Sequence, residues 1–251
     1  MLADYHIHVA AHGEYKYSRE RIAGFLDKAL ERGIMELGLS EHEEYTDLVD
    51  ITAIENARSV FAPNKIKLGL EADYIPGQEA ITRQNILSRN YDYIIGSIHY
   101  IDGWGFDHPD FKERFDYLDI DAVYQDYFSL VINMVQSGLY DIVGHMDLIK
   151  VWGYRPSHRI DLTAVLKAIK LSGMAVELNS GGLRKPVHEI YPDENIVRAM
   201  YSMNIPVTLG SDAHEPDQVG EDFKLLADTA RKAGYRSITT FNLRRQYQVS
   251  L

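Results

Sequence analysis

The chain has 251 residues, of which 45% are apolar and 25% charged, the balance of a globular protein with an ordinary core rather than a disordered one. Cysteine is absent, which excludes disulfides, thiolate ligands and zinc-finger chemistry, so any metal must be held by His nitrogen and carboxylate oxygen. A formal charge of −11 with no concentrated basic patch opposes binding to phosphate backbones, and no nucleic-acid partner is expected.

In chain order, short β-branched or apolar runs alternate with longer segments of helical period. The first strand candidate, Leu2–Tyr5, is followed by a helical stripe of Ile22, Phe25, Leu26, Ala29 and Leu30, with Ser18 as N-cap and Gly33 as the stop. Further strands are expected at Met35–Leu39, Ile66–Tyr74 and Tyr91–Ile98. The segment Tyr100–Asp119, with Trp104, Phe106, Phe111, Phe115 and Tyr117, breaks the rhythm. It fits a surface loop with its own small core as well as it fits a lid over a substrate. Helical stripes at Tyr124–Val135, Leu162–Leu171, Ile196–Met203 and Phe223–Ala233, the last closed by Gly234, then alternate with strands expected at Ile142–Val143, Ala175–Leu178, Val207–Leu209 and Ser237–Thr240.

Such alternation is the signature of βα units and a parallel sheet. Seven or eight units without a Gly, Ser or Pro linker match one α/β barrel, so residues 1–251 are expected to form a single domain. No apolar run approaches the roughly 20 residues of a membrane-spanning helix. The start, MLADYHIHV, lacks the pattern of a secretory signal, so a soluble, cytoplasmic protein is expected.

Most of the ten histidines stand directly after strand candidates. His6 and His8 end the first strand and His42 follows the second in SEH. Glu71 and Asp73 lie in the third within GLEADY. His99 follows the fourth in GSIH, His145 the fifth in GH, and Asp212 and His214 the seventh in GSDAH. In a parallel barrel all these positions project to one rim. An isolated HxH is weak evidence, because a single rim histidine is usually just hydrogen-bonded, but six histidines with matching acids do not arise independently. The donors exceed what one tetrahedral ion takes, so two or three divalent ions are implied: Zn²⁺, Mn²⁺ or Fe²⁺.

The motifs DYHIH, SEH, GLEAD, GSIH, GH and GSDAH together resemble the PHP (polymerase and histidinol phosphatase) superfamily, over essentially the whole chain. The segments GSIHYIDGWGFDHPDFKERF, HMDLIKVWG, NSGGLRKPVHEIYP and TLGSDAHEPDQVG resemble its histidinol-phosphatase branch. The resemblance implies a distorted (β/α)7 TIM-like barrel with a trinuclear site at the C-terminal ends of the strands. It implies that His6, His8, Glu71 and Asp212 bind a first ion, and that Glu71 bridges to a second held by His99 and His145. His42 and His214 would bind the third with a residue from the loop after His8. His12 in AHG is favoured for that place, although it follows His8 at a shorter interval than the family's ligand; Glu14 is the alternative.

Such a site suits phosphate monoester hydrolysis, in which a hydroxide bridging two ions attacks phosphorus in line with the leaving oxygen. The substrate implied is histidinol phosphate, an amino-alcohol phosphate consumed in histidine biosynthesis. Asp212 or His214 is placed to manage the proton. Lys150, Arg155, Arg184 and Lys185 follow later strands on the same rim and are candidates for the phosphate oxygens. His108, His158 and His188 are read as surface or loop residues, with a phosphate role open for His188. Alternative readings are a phosphoesterase for nucleotides or other small esters, and a metal-dependent binding module without turnover.

Overall fold

The computed structural model of the chain describes residues 2–60 and 65–251. Its first half contains β1 (Leu2–Asp4), α1 (Arg19–Glu31), β2 (Ile34–Leu39), α2 (Ile51–Val60), β3 (Lys65–Asp73), α3 (Glu79–Leu87), β4 (Tyr93–Ser97) and the short β5 (Tyr100–Ile101) and β6 (Trp104–Gly105). Then come α4 (Ile120–Gln136), β7 (Ile142–Val143), α5 (Thr163–Ser172), β8 (Ala175–Asn179), α6 (Glu194–Ser202), β9 (Val207–Gly210), α7 (Phe223–Ala233), β10 (Ser237–Asn242) and β11 (Arg245–Ser250).

Seven strands form one parallel sheet in the order β1-β2-β3-β4-β7-β8-β9. Its two edges meet, because Tyr5 N–H donates to Leu209 O at 3.0 Å and His8 N–H to Ala213 O at 2.8 Å. The result is a near-closed, distorted TIM-like barrel, in which every strand delivers its C-terminal end to the same rim. Helix α1 shows how local sequence sets its element: Ser18 Oγ accepts from Arg21 N–H at 3.1 Å, and Ile22, Phe25, Leu26 and Ala29 are buried. Leu30, expected in the same stripe, is half exposed.

The barrel interior is filled from one side by Tyr93. Its ring lies edge-on to Tyr5 with centroids 4.8 Å apart, and its hydroxyl donates to Tyr5 O at 2.7 Å. Gly69 makes room for it, since a Cβ there would stand 2.3 Å from Tyr93 Cζ. Below, β10 and β11 pair as an antiparallel hairpin outside the parallel sheet, so Ser237–Thr240 is no eighth barrel strand. The hairpin is tied on by Phe241 N–H to the Tyr5 hydroxyl at 2.9 Å and by Leu243 N–H to Asp92 Oδ1 at 3.1 Å. Arg244 also grips Asp141 through Nε at 2.8 Å and Nη2 at 3.1 Å, and donates to Leu139 O at 2.6 Å. Because the Arg244 side chain is a third exposed, Arg244→Ala is expected to cost only about 1–2 kcal/mol, checked by urea denaturation.

The segment Tyr100–Asp119 has its own aromatic core. After the β5–β6 hairpin comes a 3₁₀ helix, Pro109–Tyr117, and Trp104, Phe106 and Phe115 are buried while Phe111 and Tyr117 are exposed. Phe115 stacks on Tyr154, and Trp152 Nε1–H donates to Phe106 O at 2.8 Å, which fastens the segment to the loop after β7. Of the two readings open for it, the packed loop is the arrangement observed.

Candidate metal centre

At the C-terminal rim, three groups bring donor atoms within 4.8 Å of one another: His6, His8 and Glu71; Glu71, His99 and His145; and His8, His42 and His214. Glu71 joins the first two. Its Oε2 lies 3.2 Å from His6 Nε2 and 2.9 Å from His42 Nδ1, and its Oε1 lies 3.0 Å from His145 Nε2 and 3.8 Å from His99 Nε2. Ser97 Oγ donates to Oε1 at 2.6 Å and holds the carboxylate in place. Asp212 Oδ1 completes the first group, 3.4 Å from His8 Nε2 and 3.8 Å from His6 Nε2.

Two turns carry the remaining residues. Ala11, His12 and Gly13 all have positive φ (44°, 57° and 83°), which folds the loop after β1 back so that His12 Nε2 lies 3.2 Å from His214 Nε2. Asp212 is also left-handed, at φ 55°, a conformation that non-glycine residues adopt mainly where surrounding contacts impose it. Those contacts come from Arg184, whose Nη2 donates to Ser211 O at 2.6 Å and Asp212 O at 2.9 Å. Arg21 braces the neighbouring loop, with Nη2 to His214 O at 2.7 Å and Nε to Val9 O at 3.1 Å. Glu14 is exposed.

The donor set fits divalent cations. His6 Nε2, both nitrogens of His8, His42 Nε2 and Glu71 Oε2 are buried without a hydrogen-bond partner, a costly state unless something accepts their lone pairs. Two nitrogens sharing a tetrahedral zinc at roughly 2.0–2.1 Å would stand about 3.3–3.4 Å apart, close to the His12–His214 spacing of 3.2 Å. At His8 and His214 the protonation states agree, whereas the carboxylates beside His6, His42 and His99 raise the pKa of those three. Burial pushes His8 well down, helped by His42 and His214, and burial pushes His214 down to about 4, so both carry free lone pairs at neutral pH. For Glu71 and Asp212, burial would favour protonation but is outweighed by the neighbouring histidines together, His6 with His42 and His145 at Glu71 and His6 with His8 and His214 at Asp212, and both are held well below the usual carboxylate range. In His6, burial is outweighed by Glu177, Glu71 and Asp212, which raise its pKa well above the ordinary value.

The four rim cations are placed differently from one another. Lys150 is buried, its ammonium 2.9 Å from Asp147 Oδ2, 3.2 Å from Glu189 Oε2 and 2.9 Å from Ile190 O. Arg155 Nη2 lies 2.6 Å from Glu189 Oε1, and Arg184 is engaged with the Asp212 turn and with Glu221. Lys185 is exposed, and its charge is felt at His12. His188 is exposed and turned to Leu183 O at 3.1 Å; His108 caps the 3₁₀ helix at Pro109, and His158 lies beside Asp121.

Two acids in direct contact with the histidines were not among the expected ligands. Asp73 Oδ1 lies 2.6 Å from His99 Nδ1, and Glu177 Oε1 lies 2.7 Å from His6 Nδ1. Asp73 was visible in GLEADY. Glu177 is the middle residue of β8, AVELN, and its strand carries no histidine to draw attention to it.

A near-closed parallel barrel whose strand ends assemble shared His and carboxylate clusters defines a metal-binding barrel protein. The chain belongs to the PHP domain family, whose model matches residues 4–181. A probable histidinol-phosphatase of Deinococcus radiodurans is 38% identical over 190 residues, covering 75% of this chain and 73% of that protein. The histidinol-phosphatase of Bacillus subtilis is 28% identical over 266 residues, covering 90% and 98%. Among solved structures, histidinol phosphate phosphatase from Lactococcus lactis, complexed with zinc, L-histidinol and phosphate, superposes with a TM-score of 0.79 at 20% identity, covering 97% and 98%. The protein is thus a metal-dependent hydrolase of small phosphate esters, similar to histidinol-phosphatases. No helix among the described residues is long and apolar enough to cross a membrane.

Proposed function

We propose that the protein hydrolyses L-histidinol phosphate to L-histidinol and phosphate at this rim, and that residues 1–251 act as one catalytic domain. The observation that carries the reading is the single buried carboxylate, Glu71, shared by two donor groups. The names of the relatives supply the substrate. His6, His8, Glu71 and Asp212 would hold one ion, Glu71, His99 and His145 a second, and His42, His214 and His12 a third. When bound, such ions neutralise the phosphoryl oxygens and lower the pKa of water.

The chain's own residues do the rest. Of the two ligand carboxylates, Asp212 is the one whose side chain opens to solvent, 17% exposed against 1% for Glu71, with one oxygen toward His8, and it is the acceptor for the proton of the attacking water. His214, neutral near pH 7 with Nδ1 3.1 Å from Asp212 O, serves as a nitrogen donor through Nε2. Arg184 keeps the Asp212 turn in its left-handed form, and exposed Lys185 is the rim cation open to a phosphate oxygen. The acidic chain suits an ammonium-bearing leaving group.

With added Mn²⁺ or Zn²⁺, kcat/KM for histidinol phosphate is expected to exceed that for an aryl phosphate or a mononucleotide by about 10²-fold or more. Equal rates across the panel would remove the substrate assignment while leaving the phosphatase standing.

A further inference from the structure

We propose that Glu177 is the positioning residue of the metal centre: one buried carboxylate that fixes the donor nitrogen of His6 and anchors His145, so that two donor groups are set from behind by a residue that binds neither ion. The proposal rests on the metal-centre reading above.

Glu177 is 1% exposed, and both of its oxygens are engaged. Oε1 lies 2.7 Å from His6 Nδ1, while Oε2 accepts the backbone N–H of His145 at 2.9 Å and the side-chain amide of Asn179 at 3.0 Å. The two nitrogens of His6 face opposite ways. Nδ1 meets Glu177, and Nε2 meets Glu71 at 3.2 Å and Asp212 at 3.8 Å. An imidazole that donates Nδ1–H to a carboxylate keeps its Nε2 lone pair for an ion, so Glu177 selects the tautomer that can ligate. Lying behind the ring, Glu177 acts on the site through His6 rather than by touching what His6 holds.

The neighbouring strand is cut to fit this carboxylate. At Gly210 a Cβ would stand 1.8 Å from Glu177 Oε1 and 2.8 Å from His6 Cβ, so any other residue would displace the contact. His99 has a comparable partner in Asp73, at 2.6 Å, but Asp73 reaches one ligand only. Glu177 reaches His6 in the first donor group and, through the backbone, His145 in the second.

Glutamine at 177 keeps the shape and inverts the chemistry. Its carbonyl oxygen is claimed by the fixed donors, His145 N–H and Asn179 Nδ2, which turns the NH₂ toward His6 Nδ1 and drives the ring proton to Nε2. That tautomer cannot ligate.

The test is a Zn²⁺ titration of chelator-treated, full-length protein in competition with a colorimetric chelator, together with the visible spectrum of the Co²⁺-loaded form and the melting temperature of the metal-free form. Glu177→Gln is expected to weaken two ions by about 10–100-fold and to alter the Co²⁺ bands, with the metal-free form still melting cooperatively. Asp73→Asn is expected to weaken one ion only. Glu177→Asp, charged but one methylene short of His6, is the second variant and decides the matter if the glutamine protein does not fold; it is expected to weaken the ion held by His6. Wild-type affinity for every ion in both Glu177 variants overturns the positioning role alone. A wild-type chain that takes up no ion overturns the metal centre itself.

Discussion

Glu71→Gln is expected to reduce phosphatase kcat/KM by about 10³-fold or more, since stabilisation worth several kcal/mol per ion converts at 1.36 kcal/mol per decade. The size of the effect follows from sharing. Glu71 is 1% exposed and its two oxygens approach five imidazoles: His6, His8 and His42 from one side, His99 and His145 from the other. A carboxylate offers lone pairs to both groups and negative charge to offset two cations held side by side. The amide keeps one oxygen, places an NH₂ where an ion needs a lone pair, and removes the charge. Elemental analysis is expected to show at least one ion fewer per chain. Full metal content with activity within tenfold of wild type would mean that the two groups do not share this residue.

The same sharing explains why the site was readable in the sequence. Barrel topology converts strand-end position into spatial proximity, so His6, His42, Glu71, His99, His145 and His214 could be grouped from register alone. The residues that escaped lie where position carries no chemical flag. Glu177 sits on a strand without histidine, and Arg21, which holds His214 O and Val9 O, lies inside a helix and reads as a surface charge.

The fold was legible to a similar depth. The barrel strands were found because their apolar runs are bounded by turns. Helix α3 was not, because it buries only Thr82 and Ile86 while Ile81 and Leu87 are exposed, which leaves no stripe. Strand β11 was missed for a different reason. The β10–β11 turn places Leu243 and Arg244 at φ 47° and 64°, where hairpins usually show Asn or Gly. The bonds from Asp92 to Leu243 and Arg244 hold the strained turn against the barrel, so tertiary contacts replace the local signal.

Lys150→Ala is expected to destabilise the protein by about 3–5 kcal/mol, the cost of leaving a buried charge without its partner. The Lys150 and Asp147 side chains are each 5% exposed and meet at 2.9 Å, and the three donors of the ammonium already have Asp147, Glu189 and Ile190 O as acceptors. Burial raises the pKa of Asp147 and the Lys150 charge works against that rise. Removing the lysine therefore raises it further. A carboxyl whose folded pKa lies above its unfolded value binds more protons in the folded state, so the variant regains stability as the pH is lowered. Urea denaturation at neutral and acidic pH is expected to show the penalty shrinking with acid, and Asp147→Asn added to Lys150→Met is expected to recover most of it. A lysine that serves the phosphate instead would leave stability and its pH dependence as in the wild type and lose only kcat/KM. Because the ammonium already has protein oxygens for its three hydrogens, the stability outcome is the one expected.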